Sequence, residues 1–333
     1  DRRMEYFGGE GNVLGRKGKD ILAFRGADLS QVKEANGMLR KSIQLEGLES
    51  RDNVMQLCIS SGVVLNKKGL MDENQVVADY VMILEYLVHL EKQSSRWERI
   101  RTRIEQQLLT ENILSCKALD SHFEPLMEQN KTDSTFQETI LSSYRALECD
   151  RSAIFLAASE NNYRLAPSPE SAHSLARQFI VRDDLEQAAY YLQEALNQEN
   201  IPDENRAQWT YELALVSHGL EDYCKAIGLA REAIELKNNF GEAYMLLGDA
   251  YISSRKSLGD DFQRRTAYWI AADMYEKAAS VDPAQAEEAR KKLARSESHF
   301  PDREEIFFSD IREGEAFVVQ GCINDTTTVR SRK

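Results

Sequence analysis

Small and apolar residues recur along this chain at a spacing typical of closely packed helix pairs. From Ala207, one helical pattern carries Leu213 and Ala214. The next helical pattern carries Tyr223, Ala226, Ala230 and Ala233. A small side chain at the last of these positions lets two helices approach closely, whereas larger side chains would hold them apart.

The same plan repeats on both sides of that stretch. From Pro169 the matching residues are Leu175, Ala176, Phe179, Leu185, Ala188, Leu192 and Ala195. From Gly241 they are Tyr244, Leu247, Gly248, Tyr251, Ala271, Tyr275, Ala278 and Pro283, provided that about eleven residues are inserted near 254–264. Two-helix units of about 34 residues are tetratricopeptide repeats (TPRs). The alternative is a generic helical bundle, but three consecutive matches favour an all-α, TPR-like α-solenoid of stacked antiparallel helix pairs.

Helical periodicity continues upstream, although the repeat register is blurred there. Helices are predicted at 11–25, 31–46, 52–66, 72–91, 93–109, 112–129, 134–147 and 150–165. A capping helix at 284–296 and a short helix at 301–313 should follow the repeats. The tail from Glu315 is β-branched and aromatic, which predicts a short hairpin. We therefore expect degenerate TPR-like hairpins over 1–166, clear units over 167–296 with an insertion near 254–264, and a C-terminal cap and tail over 297–333.

Charge and hydropathy exclude several classes of protein. The net charge is -13, from 42 basic and 55 acidic residues, which argues against a broad nucleic-acid surface. No run of eighteen apolar residues occurs, so no membrane-spanning segment is expected. The five histidines lie in no metal-binding spacing and the five cysteines form no CxxC pair, so we expect no metal and no cofactor.

The other motifs in the sequence favour structural roles over catalytic or ligand-binding ones. The glycines that open the chain (Gly8, Gly9, Gly11, Gly15 and Gly18) lack the ending of a phosphate loop and fit a closely packed helix start. The acidic pairs Asp183–Asp184 and Asp260–Asp261 fall at helix starts, where carboxylates are favourable. A stripe of Arg96, Arg99 and Arg103 fits a solvated face or contacts with acidic neighbours. No catalytic residues are predicted.

Repeat geometry gives the best candidate site. The first helices of TPR units line the concave surface on which partners bind. The inward positions are Glu170, His173, Arg177 and Ile180 in one unit, Gln208, Tyr211, Leu215 and His218 in the next, and Glu242, Met245, Asp249 and Ile252 in the third. This mixture of aromatic, apolar and ionic groups suits an extended peptide or a helix of a partner protein. It does not match the Lys and Asn set with which some TPR domains hold a C-terminal carboxylate.

Four segments resemble a known family. They are EYFGGEGNVLGRKG, YELALVSHGLEDYCKAIGLAREAIELKNNFGEAYMLLGDAY, YWIAADMYEKAASVDP and GCINDTTTVR, and they are similar to secreted TPR proteins of Bacteroidetes-type bacteria. The resemblance implies a periplasmic or secreted envelope protein whose signal peptide and further residues lie upstream of Asp1. It implies no reaction. In that family a cysteine often precedes the glycine of the inserted loop; here Leu258 stands at that place, which implies that Cys322 has no partner.

The sequence thus predicts a non-enzymatic protein-interaction scaffold or adaptor in the cell envelope. The alternative is a glycan-binding protein, an enzyme or an enzyme accessory subunit that uses the inserted loop and the tail, with Tyr268 and Trp269 as an aromatic platform. A third hypothesis is self-association through the chain ends.

A disulfide is expected between Cys116 and Cys149. Cys116 lies near the start of one predicted helix and Cys149 just past the end of the next. A short turn at 130–133 makes these helices antiparallel neighbours, which places the two residues at similar heights and within disulfide reach. The oxidising compartment that the resemblance implies would let such a bond persist.

We expect Ala226→Leu or Ala230→Leu to destabilise the fold by about 1–3 kcal/mol, because added methylenes overpack a close helix contact. Denaturant or thermal unfolding would measure this, with Lys237→Gln as an exposed control. Unchanged melting curves for both alanine variants would show that these helices do not pack as predicted.

Overall fold

The computed structural model describes residues 9–25, 28–199 and 201–332. These residues fall into two compact units, divided between Ala166 and Pro167. Both units consist of consecutive antiparallel helices that pack against their neighbours in the chain, and a small sheet occurs only in the tail. The predicted all-α, TPR-like solenoid with a short β tail is confirmed. None of the helices in the described ranges combines the length and the apolar character needed to cross a bilayer.

In the first unit, most helices contact the next helix and several contact the next but one, as expected in a stack of helical pairs. The helices are α1 (Gly9–Arg25), α2 (Leu29–Glu46), α3 (Asp52–Lys67), α4 (Glu73–Glu91), α5 (Ser95–Thr110), α6 (Cys116–Phe123), α7 (Met127–Asn130), α8 (Ser134–Ala146) and α9 (Ala153–Leu165). Helix α4 packs against α3, α5, α6 and α8, and it supplies many of the buried apolar side chains.

One predicted helix of the first unit is broken in two. The pattern predicts a helix over 112–129, but α6 begins only at Cys116, where the Ser115 side chain accepts a hydrogen bond from the Ala118 amide. The helix then gives way to a 3₁₀ turn at Glu124–Leu126. Pro125 lies in this turn, and its missing N–H removes one hydrogen bond that a continuous α-helix would need.

The glycines of α1 are packing residues, as the sequence indicates. Gly11, Gly15 and Gly18 are buried against α2. A Cβ atom at Gly15 would lie 2.7 Å from the Ser42 hydroxyl oxygen, and one at Gly18 would lie 3.0 Å from the Ala35 carbonyl oxygen. Any larger residue would force α1 away from α2. Gly8 lies outside the described residues, as does the start of the chain that was considered for self-association.

The second unit contains the three clear repeats and the tail. Its helices are α10 (Pro169–Val181), α11 (Leu185–Leu196), α12 (Asp203–Gly219), α13 (Tyr223–Leu236), α14 (Gly241–Ser254), α15 (Asp261–Val281), α16 (Ala286–Glu297) and α17 (Arg303–Phe308). Each of α10, α12 and α14 pairs with the helix that follows it, and α11, α13 and α15 each pack on the next pair or on α16.

The small residues of the repeats lie where helices meet. Ala226 and Ala230 have no exposed surface, and a Cβ atom at Gly248 would lie 2.6 Å from the Tyr275 ring. Lys237, chosen above as an exposed residue, is half-buried, with its ammonium 4.8 Å from the centroid of the Phe240 ring. Glu232 on α13 is exposed and is therefore the better control position.

The inserted segment lengthens the third repeat without forming a long loop. A 3₁₀ turn at Arg255–Ser257 follows α14, and α15 then begins at Asp261 with a capping box made by Asp260 and Gln263. The insertion is thus divided between this 3₁₀ turn, a short loop and the first turn of α15. Gly259 has a φ of 80°, which glycine adopts without strain.

The tail folds back onto α15. The short helix α17 is shorter than the predicted 301–313, because Asp310 has a left-handed φ of 55° that ends it. Strands β1 (Ala316–Val319) and β2 (Asp325–Thr328) then form an antiparallel hairpin in which Val319 faces Asp325. The hairpin packs on α15. It therefore belongs to the second unit.

Two disulfides join distant parts of the chain. Cys116 and Cys149 are bonded with an S–S distance of 2.07 Å and a Cα–Cα distance of 5.6 Å. Cys224 on α13 is bonded to Cys322 in the hairpin loop, with a Cα–Cα distance of 5.4 Å. The expectation that Cys322 has no partner is wrong, because the hairpin loop brings it to Cys224 on α13. Cys58 is the remaining free thiol of the described residues, and it is buried.

Peptide mapping without reduction should recover the Cys116–Cys149 and Cys224–Cys322 cross-linked peptides, and Cys58 should react with an alkylating agent only after unfolding. Closing the 33-residue separation of the first pair should contribute about 2–4 kcal/mol, so Cys116→Ala/Cys149→Ala should unfold at lower denaturant concentration. Cys58→Ala serves as the matched control for mapping. Ready alkylation of Cys116 and Cys149 in the native, unreduced protein would contradict the bond.

Candidate functional site

The first helices of the three repeats are α10, α12 and α14, and side-chain contacts join each to the next. We call the side chains at their predicted inward positions, together with these contacts, the first-helix surface. His173 on α10 lies 2.6 Å from the Glu212 carboxylate on α12, measured from Nε2 to Oε2. The His173 ring also stacks on Trp209, with centroids 4.6 Å apart. Further along, His218 on α12 lies 3.0 Å from the Ser253 hydroxyl on α14. These contacts hold the three helices side by side.

Local sequence sets where the first-helix surface begins. Helix α10 starts with a capping box in which Ser168 and Ser171 exchange hydrogen bonds, and Pro169 occupies the first turn. Proline is favoured there because its missing N–H has no helical partner in any case. This start determines which side chains of α10 lie next to α12.

Glu212 is the residue of this surface that the sequence argument missed. It lies one turn after Gln208, whose side chain donates to it at 3.4 Å. Burial acts to raise the pKa of the Glu212 carboxyl, but the hydrogen bonds from His173 and Gln208 and the charges of His173 and Arg177 outweigh it and keep the pKa below its ordinary value. The spacing of four residues from Gln208 is the signal that points to Glu212.

Tyr211 places a hydroxyl group among carboxylates. Its ring packs on Phe240 with centroids 4.9 Å apart. Burial and the nearby charges of Glu242, Glu212 and Asp249 raise the pKa of Tyr211 to about 12. The phenol therefore stays protonated, and its hydroxyl makes no hydrogen bond to the described part of the chain. It is a donor that a bound segment can use.

The predicted site residues differ in how accessible they are. Glu170, Arg177, Leu215 and Glu242 are exposed, and His173, Ile180, Gln208, Tyr211, His218, Asp249 and Ile252 are half-buried. Met245 is only 7% exposed and belongs to the core of the second unit. It therefore offers little surface to a partner.

Asp249 is engaged within the protein. Its carboxylate accepts a hydrogen bond from the Tyr275 hydroxyl at 2.7 Å and pairs with the Lys292 ammonium at 2.5 Å. These contacts join α14 to α15 and α16. Asp249 therefore borders the first-helix surface but is neutralised by Lys292.

The aromatic platform suggested for the inserted loop and tail does not form. Trp269 has no exposed surface, and its indole N–H donates to the Arg330 carbonyl at 2.7 Å. Tyr268 is half-buried and stacks on His299 with centroids 4.7 Å apart. A cavity of about 140 Å³ lies between the loop and the hairpin, and its lining includes Leu258 and Phe317. Neither Tyr268 nor Trp269 lines this cavity.

The arginine stripe lies on α5 and contacts α3. Arg96 pairs with Asp52 at 2.6 Å, and Arg103 donates to Gln56 at 3.1 Å. These contacts fit the interpretation that the stripe meets polar and acidic neighbours. Over the described ranges, no three His, Cys, Asp or Glu side chains converge in a way that would hold a metal ion.

Comparison with solved structures finds helical repeat proteins. The chain is 21% identical to MamA, over 51% of this chain and 90% of that one, with a TM-score of 0.38. It is 15% identical to the TPR2AB domain of yeast Sti1 in complex with pHSP90, over 86% of this chain and 98% of that one, with a TM-score of 0.33. It is 13% identical to the C-terminal part of a TPR repeat-containing protein from Cytophaga hutchinsonii, over 87% of this chain and 86% of that one, with a TM-score of 0.36. At such TM-scores these likenesses carry no argument about what the chain binds. No protein-family model and no curated protein matches the sequence.

His173→Phe should raise the pKa of Glu212, because phenylalanine keeps an aromatic ring beside Trp209 but cannot donate to the carboxylate. A carboxyl whose pKa is lower in the folded state than in the unfolded state stabilises the fold at pH values above the unfolded pKa. This stability is lost as pH falls through the folded pKa. The variant should therefore be less stable than the wild type by about 1–2 kcal/mol near neutral pH. The difference in stability between the variant and the wild type should shrink as pH falls below 4.5, the ordinary pKa of this carboxyl. Urea unfolding across this range measures it. His218→Phe, which removes a contact to Ser253 instead, should show no such trend.

Proposed function

We propose that this protein is a non-enzymatic TPR scaffold that binds a segment of another protein, as an extended peptide or a helix, in a concave groove formed by the first-helix surface. The observation that carries the proposal is the alignment of α10, α12 and α14 through the His173–Glu212 and His218–Ser253 contacts. Side chains from three repeats are thereby presented together, as extended recognition requires.

The exposed side chains of this surface supply mixed chemistry. Arg177 offers a guanidinium, Leu215 is 49% exposed and apolar, and Glu242 offers a carboxylate. Between them the Tyr211 hydroxyl remains available as a donor. Tyrosine and arginine are common hot-spot residues, so Arg177 and Tyr211 should contribute most of the binding free energy.

The cysteine pairs support an envelope location, which we include in the proposal. Four of the five cysteines of the sequence lie within bonding distance of a partner. Disulfides persist in oxidising compartments such as the periplasm and are rare in the cytosol. A periplasmic or secreted protein would keep both bonds.

The alternative function, glycan binding or an enzymatic role at the inserted loop and tail, depends on exposed aromatic residues. Burial of Trp269 and stacking of Tyr268 remove the platform on which a sugar ring would rest. The geometry therefore favours the scaffold over this alternative.

Affinity capture from the native envelope, followed by mass spectrometry, should identify a protein partner whose binding depends on the first-helix surface. The triple variant Arg177→Ala/Tyr211→Ala/Leu215→Ala should weaken binding of that purified partner at least about tenfold, because truncating hot-spot residues costs about 2 kcal/mol or more.

The control is Glu186→Ala/Glu232→Ala, which changes exposed residues on the second helices α11 and α13. It should bind the partner as the wild type does and keep the wild-type melting temperature. The triple variant should remain folded but melt at a lower temperature, because it loses the Tyr211 ring that packs on Phe240. Equal binding by the triple variant and the wild type would reject the groove.

A further inference from the structure

A cleft of about 520 Å³ opens beside the tail, away from the first-helix surface. It is bounded by the ends of α15 and α16, by the start of α17 and by the last residues of the described chain. Its lining includes Glu276, Glu297, Arg303, Glu313, Arg330 and Arg332. None of these residues belongs to the first-helix surface. Its volume falls within the range usual for small-molecule sites.

One wall of the cleft carries guanidinium groups whose hydrogen-bonding capacity is unused. The Arg303 side chain is 85% exposed, and its Nε lies 4.0 Å from the Glu313 carboxylate. The Arg332 side chain is 47% exposed, and its Nη2 lies 3.8 Å from the Asp302 carboxylate. Both separations exceed hydrogen-bond length, and neither guanidinium donates to any described residue.

The acids near those arginines are already used by the backbone. Asp302 accepts a hydrogen bond from the Glu305 amide at the start of α17. Glu313 accepts hydrogen bonds from the amide and the hydroxyl of Ser331, which lower the pKa of its carboxyl. These hydrogen bonds occupy one oxygen of each carboxylate, and the other oxygen lies 3.8 Å from Arg332 in Asp302 and 4.0 Å from Arg303 in Glu313, beyond hydrogen-bond length. The donors of both arginines can therefore turn to a ligand. A planar guanidinium matches a carboxylate by two parallel hydrogen bonds.

The cleft lining also includes two carboxylates, which we call the acidic wall. Glu276 comes from α15, and Glu297 is the last residue of α16. The Glu276 side chain is 55% exposed and lies 3.9 Å from Arg330, while the Glu297 carboxylate makes no ion pair or hydrogen bond within the described ranges. Glu297 also stands at the negative end of the α16 dipole, which attracts a cation.

Arg330 also lines the cleft and is fixed in place. Its guanidinium donates to the Trp269 carbonyl and to Asp273, and it lies 5.2 Å from the centroid of the Phe300 ring. The next residues are also anchored, because the Arg332 amide donates to the Pro301 carbonyl at 2.9 Å. The backbone that carries the cationic wall is therefore held before any ligand arrives, which limits the entropy lost on binding.

We propose that this cleft binds a small zwitterion of the amino-acid type, free or as a short peptide. Its carboxylate lies against Arg303 and Arg332, and its ammonium lies against Glu276 and Glu297. A simple anion would leave the acidic wall without a partner, and a simple cation would leave both arginines without one. The zwitterion satisfies both walls at once. This site is independent of the proposed groove.

Calorimetric titration of the full chain with glycine and with triglycine tests the proposal. At least one of these probes should bind with a dissociation constant of about 1 mM or tighter. The probe that binds tells a free amino acid from a peptide. Its N-acetyl form, which lacks the ammonium, and its C-terminal amide, which lacks the carboxylate, should each bind at least about tenfold more weakly.

Variants then assign the walls. Arg303→Gln/Arg332→Gln and Glu276→Gln/Glu297→Gln should each weaken binding of the zwitterion at least about tenfold. Arg312→Gln, an exposed arginine outside the cleft lining, should bind as the wild type does. Melting temperatures should be unchanged in all three, because the altered side chains are at least partly exposed.

Three results would overturn the proposal. They are no binding of either probe up to about 10 mM, equal binding of the acetylated or amidated form, and equal loss in Arg312→Gln. Failure here is distinct from failure of the groove, because the Arg177→Ala/Tyr211→Ala/Leu215→Ala variant should keep zwitterion binding and the cleft variants should keep partner binding.

Discussion

The close approach of helices at small residues is the constraint on which the repeats depend. Gly248 and the Tyr275 ring already leave no room for a Cβ atom, and the interface of α12 and α13 includes fully buried Ala226 and Ala230. Because the backbones of the paired helices approach so closely, stacking of the helix pairs places every second helix side by side. The first helices α10, α12 and α14 therefore lie next to one another. The same rule operates in α1, where glycines meet α2. Side-chain size, more than polarity, sets the spacing of the helices.

The tail adds a second layer of organisation to the last repeat. The disulfide from Cys322 to Cys224 and the hydrogen bonds from Arg231 to the Ile323 carbonyl and the Tyr251 hydroxyl hold the hairpin loop on α13 and α14. Thr327 and Arg330 both bond to Asp273 on α15. The tail thereby covers Trp269. It also brings Arg330 and Arg332 close to Glu276 of α15 and Glu297 of α16, which line the same cleft.

The protein therefore presents two chemically different surfaces. The first-helix surface is chemically mixed, and its ionic groups are partly satisfied by neighbours, as in the His173–Glu212 pair. The cleft beside the tail contains arginines and carboxylates, and the guanidinium groups of Arg303 and Arg332 make no hydrogen bond to the described residues. A surface of the first kind suits recognition spread over many residues, whereas the second suits a compact ligand with two charges. The two proposals rest on separate residues of the same unit.

Local sequence was enough to predict the all-α fold class, most of the helices and the tail hairpin, because apolar periodicity, caps and turn residues act over a few neighbouring positions. Tertiary structure alone decided which side chains meet across larger separations. Met245 turned into the core, Trp269 was covered by the tail, and Cys322 reached Cys224 across a sequence separation of 98 residues. Tertiary structure likewise decided that His173 on α10 meets Glu212 and that the arginines meet in the cleft. The positions of these side chains depend on the rotation of each helix about its axis and on where the tail packs against the helices. Both result from the packing of the whole unit, so no local sequence pattern encodes them.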